Sequence, residues 1–493
     1  MKNELRFTAF LTLLYLLVGM IGVAHHELWL DEAHHWLLAR DSASIAELWR
    51  NTRLEGHPVL WSLLLYGVSR ITPDPLAMQL LHVLIAAAAV FIFAYKAPFS
   101  RVFKILFVFG YFMVFEYGMI SRNYMLGLCF IFLACADFAR RGKMIRICAL
   151  LALAVNVHVV FTVIAVPLFT VICIGYLRET NWNRLILTGT LIFLAGLVLL
   201  AIQIKSTEAG WLLDPISDMP WRERLKPALA SLFKALFNMP DFSNPHFWNT
   251  NYFTTKCRTA AAILAILVYA LPILLFKSRP SLFFIYMALA VAQLFFWVTH
   301  RTAVRFDGIL FMAVIVGLWI DRHARQDLEL TWRRRLYASG KPLVYGLLLI
   351  QFAGGMGAYA MDIRSPFTSA QQTANYLKIS NLDWRNIVTV TCDGTMLSAY
   401  LEGKIWFLCD GGYRSFCRWD AGCTGNITPG RASAMLSDYM ATRKNAVFVS
   451  YYPIGSTDGN WHRTANFQFR LLARFDAAIV EKSSYYVFEL IRP

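Results

Sequence analysis

The chain reads as an α-helical polytopic membrane protein of about eleven transmembrane helices, followed by a small C-terminal exported α/β domain. Three observations predict this. Hydrophobic residues fill 57% of the 493 positions and charged residues only 16%, whereas a water-facing domain carries about 25% charge; mean hydropathy is +0.48. Apolar runs close to the roughly 20 residues that cross a bilayer recur as far as position 360. Beyond that point the composition turns polar, and four of the nine cysteines fall there. Disordered, collagen-like and coiled-coil chains are excluded by the same composition. The net charge of +16 (47 basic against 31 acidic residues) is assigned to membrane topology rather than to nucleic acid.

Met1 to Arg6 is polar and basic, and the run Phe7–Val23 meets no small-residue cleavage site. It is expected to be an uncleaved first span with a cytoplasmic N-terminus. The spans are placed near 5–23, 76–95, 103–119, 123–139, 145–157, 159–177, 185–204, 258–276, 281–298, 303–320 and 342–360. The run from Pro58 to Ile71, interrupted by Gly67 and Arg70, is too short to cross and is read as a helix in the outer interface. Counting it as a twelfth span would put the dense basic loops outside: Lys96, Arg101 and Lys104; Arg140, Arg141, Lys143 and Arg146; Arg178 and Arg184; Lys277 and Arg279; and Arg322 to Lys341. With eleven spans they are cytoplasmic, the short outer turns hold only Arg122, Arg301 and Arg305, and the C-terminus is exported.

Residues 1–360 therefore form the membrane module, with exported loops at 24–75 and 205–257. The second loop carries Trp211, Trp221 and Trp248, and Leu225, Leu229, Leu232 and Leu236 recur at helical spacing. That pattern suits a helix on the membrane surface or one packed on protein. The tail, 361–493, alternates helix-like stretches (Ala370–Ile379, Ala432–Thr442) with strand-like ones (Ile387–Thr391, Ile405–Leu408, Ala446–Tyr452, Tyr485–Ile491). Cys392, Cys409, Cys417 and Cys423 are expected to form two disulfides, with three pairings open. The tail has no Gly-rich phosphate loop, zinc-type cysteine pair or nucleophile elbow; Asn426-Ile427-Thr428 is a lone glycosylation sequon.

Ionisable residues at membrane depth mark function or pairing. The richest cluster follows the first span, His25-His26-Glu27-Leu28-Trp29-Leu30-Asp31-Glu32-Ala33-His34-His35-Trp36, with Glu55-Gly56-His57-Pro58 later in the same loop. If helical from Asp31, the cluster puts Asp31 and His35 on one face with His34 beside them. A partly desolvated carboxylate there has a raised proton affinity and serves as a general base; the alternative is a metal site built from Asp31, His34, His35 and Glu116. Arg122, after Glu116 at the next outer turn, suits an anionic phosphate. His158 on an apolar face reads more readily as a satisfied core histidine than as a ligand, and Arg301 with Arg305 are candidates to neutralise a diphosphate or phosphate leaving group or to cap helices.

An N-terminal span, then Leu30-Asp31-Glu32-Ala33, then Gly56-His57-Pro58 heading an interfacial helix, then Ser121-Arg122-Asn123-Tyr124 after the third span, resembles the GT-C glycosyltransferases. The nearest types are the protein O-mannosyltransferases and the lipid A aminoarabinose transferases. The match spans roughly residues 1–320; the tail lies outside it. The resemblance implies a GT-C-like fold and transfer of a hexosyl or pentosyl group from a polyprenyl-phosphate donor to a hydroxyl of a lipid, glycan or protein, on the exported side of a plasma or inner membrane, with inversion. It implies Asp31 as catalytic base with Glu32 beside it, His57 ordering the pocket and Arg122 meeting the donor phosphate; Tyr124 of the same motif and the outer-face residues His158, Arg301 and Arg305 are the further candidates toward the donor phosphate or substrate. Asn123 and Tyr124 stand where relatives carry a second acid, which favours transfer without a required metal, a divalent ion remaining the option. Membrane lipids are the other expected partner, and no nucleic acid is. The alternative is a transporter or flippase of lipid-linked saccharides without bond chemistry, or a scaffold that presents the tail.

Overall fold

The computed structural model describes residues 2–53, 55–138, 143–179, 184–204, 220–299, 303–323, 331–380, 382, 386–419, 423, 427–481 and 483–493. The first apolar run is α1 (Lys2–Val23). Three short helices fill the first loop, α2 (Leu30–Asp41), α3 (Ile45–Thr52) and α4 (Leu60–Ser69), and the bundle continues with α5 (Leu76–Lys96), α6 (Arg101–Val108), α7 (Tyr124–Asp137), α8 (Met144–Val157), α9 (Thr162–Glu179) and α10 (Arg184–Ile204). Helices Trp221–Leu236, Arg258–Leu267 (prolonged to Leu275 through a 3-10 turn), Arg279–Thr299, Val304–His323 and Thr331–Arg364 complete it. Every expected span coincides with helix, the third being α6 followed by a π-helical turn at Phe112–Glu116. Among the described residues seven segments are long and apolar enough to cross a bilayer. The ten residues of α4 rise only about 15 Å, half of a hydrocarbon core of about 30 Å.

Packing follows the distribution of small and large residues. One face of α10 (Ile186, Phe193, Leu200) is buried against α8, while Leu187, Leu191, Leu194, Val198 and Ile202 on the other are exposed, the pattern of a lipid-facing helix. Helix Thr331–Arg364 approaches the break after α6 so closely that a Cβ at Gly355 would meet the Tyr111 amide nitrogen at 2.7 Å; only glycine permits that backbone contact. From the same helix Gln351 donates to the carbonyls of Ala235 (2.8 Å) and Leu236 (3.3 Å), satisfying the end of helix Trp221–Leu236. That helix buries Ala228, Leu232, Phe233 and Leu236 against its neighbours in the bundle, so of the two expected placements the structure shows packing on protein, with Leu225 and Leu229 left exposed. Trp211 lies outside the described residues.

The tail is a seven-stranded mixed sheet, ordered β3-β2-β1-β4-β7-β6-β5. Its strands are β1 (Ile387–Thr389), β2 (Ile405–Phe407), β3 (Gly412–Arg414), β4 (Asn445–Ser450), β5 (His462–Arg463), β6 (Gln468–Phe475) and β7 (Tyr485–Ile491). β1 runs parallel to β2 and β4, and the other pairings are antiparallel. β3, β5 and β6 were not anticipated; a register shift at Leu471/Ala473 breaks the alternation by which β6 would be recognised. The disulfides pair Cys392 with Cys417 and Cys409 with Cys423. The sequon's Asn426 lies outside the described residues.

One face of the sheet packs on helix Pro429–Ala441 through Val388, Phe448 and Phe488. The other forms a single core with the first loop, where Ile387, Ile405, Val447 and Tyr485 join Ala33, Trp36 and Leu37 of α2 and Trp61 of α4. An ionic cluster completes this junction. Buried His26 bonds Asp362 at the end of helix Thr331–Arg364 through Nδ1 (2.8 Å) and Glu32 of α2 through Nε2 (3.2 Å). Burial would lower the His26 pKa, but Asp362 and Glu32 outweigh it and push it up to about 10. Its ordinary value is near 6.5, so the stabilisation is fully present below that value and is lost as pH rises through about 10. His26→Ala, which leaves two carboxylates buried without their cation, is expected to cost about 3–5 kcal/mol, read as a lowered unfolding midpoint in detergent. The wild-type midpoint should itself fall between pH 7.5 and 10.5, and a drop of the same size in the variant would contradict the assignment.

Candidate functional site

α2 is seated by its own acids. Glu32, in the first turn, accepts the Trp29 amide (2.8 Å), half of a capping box, and its other oxygen accepts the Ser121 amide at 2.5 Å. Successive helical residues point about 100° apart, so with Glu32 turned to the Ser121 turn, Asp31 faces a cavity of about 160 Å³. His34 and His35 line the cavity with Asp31, as the helical spacing predicts. Glu32 is buried and does not line it; its bonds assign it to positioning.

Each residue of the Ser121-Arg122-Asn123-Tyr124 turn has an anchor. Ser121 is held by Glu32, Asn123 Nδ2 donates to the Val157 carbonyl (2.8 Å), and the Tyr124 ring stacks between Tyr117 (4.6 Å) and His158 (5.1 Å). Arg122, so fixed, donates through Nη1 to Asp31 Oδ2. Arg305, at the start of helix Val304–His323, reaches the same oxygen at 3.8 Å; its carbonyl accepts the Tyr117 hydroxyl at 2.6 Å. Both guanidiniums lie against the Trp29 ring, at 5.6 and 4.8 Å from its centre. Arg301 lies outside the described residues.

Gly56 takes a positive φ of 64°, a left-handed conformation that glycine adopts without strain, and His57 follows it onto the cavity wall. The His57 ring lies 5.8 Å from His35 and 4.7 Å from His158. Pro58 precedes α4, and the Val59 amide is taken by Gln203 of α10 (2.9 Å), which also donates to Asn156 (2.7 Å). His158 is not a satisfied core histidine. Its Nδ1 accepts the Val160 amide at 3.0 Å, which assigns the proton to Nε2, and among the described residues that nitrogen has no hydrogen-bond partner although it is buried. The Nε atoms of Arg122 and Arg305 are also buried without partners. Three donors on this cavity therefore lack an acceptor, which buried donors seldom do.

Electrostatics correct one expectation. Burial raises the Asp31 carboxyl, but Arg122 and Arg305 outweigh it and hold Asp31 below its ordinary range, the reverse of a raised proton affinity. His35 is pushed well below its ordinary range by burial, with Arg122 and His57 adding to the effect, so it is a neutral imidazole at pH 7. The metal alternative is not supported by the placement of its residues. Glu116 does not line the cavity and is held by Tyr111 (3.1 Å) and Trp248 (3.0 Å). No group of three or more His, Cys, Asp or Glu among the described residues is arranged to hold a metal ion.

The second wall of the cavity was not anticipated. His34 Nε2 bonds Glu55 Oε1 at 2.6 Å, and Trp419, from the tail, closes over it with Nε1 3.3 Å from the same nitrogen. Trp29 lies within the ionisable cluster that follows the first span, but nothing local marked its ring as the face on which both arginines would rest. Compared with known proteins, the sequence matches no family model and no curated protein. Among solved structures it is similar to ArnT from Cupriavidus metallidurans bound to undecaprenyl phosphate, at 12% identity, with 98% of this chain and 97% of that chain covered and a TM-score of 0.49.

Neighbouring carboxylates with different partners should separate in experiment. Glu32→Gln, which removes the charged acceptor of two amides, is expected to lose about 1–3 kcal/mol of stability. Asp31→Asn, at a partly exposed carboxylate where the amide oxygen still accepts from Arg122, should lower the unfolding midpoint less. The reverse order in thermal unfolding would contradict the roles assigned to the pair.

Proposed function

We propose that the chain is a membrane glycosyltransferase that moves a sugar from a polyprenyl-phosphate donor to an acceptor hydroxyl, with inversion, on the exported side of the membrane. The observation that carries this reading is Asp31 clasped by Arg122 and Arg305 on a cavity where both arginines and His158 keep buried donors without partners. An anionic phosphate ester supplies the missing acceptors, and a carboxylate beside it supplies a base. The order of the acid-pair, His-Pro and Ser-Arg-Asn-Tyr motifs supports the same reading.

The charge distribution supports the orientation. The cavity lies where α1 ends and α5, α7 and α9 begin. The basic residues Lys96, Arg101, Lys104, Lys143, Arg146, Arg178 and Arg184 fall at or beside the opposite helix ends. By the positive-inside rule those ends are the cytoplasmic ones, which supports a cytoplasmic N-terminus with the cavity and the tail on the exported side. Nucleotide sugars are not at hand on the exported side, so a lipid-tethered donor fits the site.

In the reaction so proposed, the acceptor oxygen attacks the anomeric carbon, the bond from that carbon to the phosphate oxygen breaks, and the acceptor proton passes to Asp31. The freed polyprenyl phosphate keeps the bonding pair, and its charge is met by Arg122 and Arg305, donors already in place before the bond breaks. The arginines that hold Asp31 ionised in the free protein also weaken it as a base. Donor phosphate competes for them. At an effective dielectric near 20, a unit charge about 4 Å away is worth about 4 kcal/mol, well above the about 1.4 kcal/mol of one pKa unit. Engaging the arginines with phosphate therefore strengthens the base only when the donor is bound.

With purified protein and radiolabelled polyprenyl-phosphate sugars, Asp31→Asn is expected to reduce transfer by at least about 10²-fold while donor binding persists. Unchanged transfer would refute the base assignment, and absence of transfer by the wild type with any donor would refute the function. Because the bound phosphate raises the proton affinity of Asp31, the acid limb of kcat should lie at higher pH than that of kcat/KM for the donor. Coincident limbs would contradict the coupling.

A further inference from the structure

The tail bears on the cavity at one point, and that point is stapled. The segment from Cys409 to Cys423 is closed by its own disulfide, and Cys417 within it is tied to Cys392, next to helix Gly394–Leu401. Trp419 sits two residues beyond Cys417 and four before Cys423. The segment lies along α2. Ser415 Oγ donates to Asp41 at the end of that helix, Phe416 packs edge-on to His34 (5.9 Å, 85°), and the Trp419 ring lies 5.6 Å from His34. The disulfides and these anchors hold a half-buried indole at the cavity wall. The indole packs on the disulfide cluster of Cys392, Cys417 and Cys423 and turns its remaining surface to the cavity, unlike Trp36 and Trp61, which are fully buried in the shared core.

The two walls of the cavity differ in chemistry. One is cationic, with Arg122 and Arg305 beside Asp31. The other joins the Trp419 indole to the hydrogen-bonded pair His34–Glu55 beside the Gly56 turn. A flat apolar surface bordered by a carboxylate and an imidazole matches a pyranose ring, whose C–H face packs on an indole while its hydroxyls donate to carboxylate oxygens. Pockets that read a ligand combine apolar area with a few such placed groups in this way. Resting on the reading of the cationic wall as the donor-phosphate site, we infer that Trp419, with Glu55 and His34, forms the wall that holds and selects the donor's sugar ring. The tail thereby shares with the first loop in selecting the sugar, while the cationic wall holds the phosphate.

The test measures equilibrium binding, in detergent, of bare polyprenyl phosphate and of polyprenyl phosphate bearing glucose, mannose or xylose, to the wild type, Trp419→Ala and Trp419→Phe. The wild type is expected to prefer at least one sugar-bearing carrier over the bare one by about tenfold or more. Trp419→Ala should lose that preference while binding bare polyprenyl phosphate as the wild type does, which also shows that the variant is folded. Trp419→Phe, which keeps an aromatic face, should retain most of it. Equal affinity of the wild type for bare and sugar-bearing carriers, or a preference that survives in Trp419→Ala, would overturn the inference. So would equal weakening of all four ligands. Transfer is scored separately: a wild type that distinguishes sugars yet transfers none refutes the reaction, not the sugar wall.

Discussion

Two adjacent carboxylates at the start of α2 hold the site together because a helix cannot point them the same way. Glu32 is spent on backbone amides and on His26, and it locks α2 to the Ser121 turn and, through His26 and Asp362, to the end of the long C-terminal helix of the bundle. That leaves Asp31 directed at Arg122, the residue after the amide that Glu32 holds. The separation of roles is geometric. Sliding α2 by one residue would put the acid that holds the Ser121 turn in the cavity and the cavity acid in the ionic cluster.

The same geometry explains why so many charges tolerate burial. Most of these charges sit beside opposite ones: His26 bonds Glu32 and Asp362, and Asp31 bonds Arg122 with Arg305 nearby. Breaking such a set is expensive because one charge is left without its partner in a dry environment. The cavity is the exception, with paired charges and unpartnered donors side by side. In the proposed reaction a site left short of acceptors is prepared for an anion, and Asp31, as the proposed base, is held in check until the anion arrives.

The tail is joined to this arrangement rather than appended to it. Its sheet shares a core with α2 and α4, so the first loop is packed between bundle and sheet, and the helix that carries Asp31 is supported on both sides. Support of this kind holds the proposed base to the small tolerance that the proposed reaction requires. A tail that only presented itself to a partner would not need to reach Trp419 into the cavity.

By itself the sequence determined the helical membrane architecture, the positions of the eleven apolar runs, four of the seven strands, the even cysteine set, and Asp31 and Arg122 as separate candidate residues. These are properties of local composition and period: bilayer thickness sets the length of an apolar run, and the 3.6-residue turn sets which residues share a face. Only the tertiary structure decided that Glu32 positions rather than lines, that Glu116 is held by Tyr111 and Trp248 instead of joining a metal site, that two arginines reverse the expected proton affinity of Asp31, and that Trp419 of the tail completes the cavity. Each of these depends on contacts between residues up to hundreds of positions apart. No local pattern encodes them, because proton affinity and contact are set by whatever the fold brings within a few ångströms.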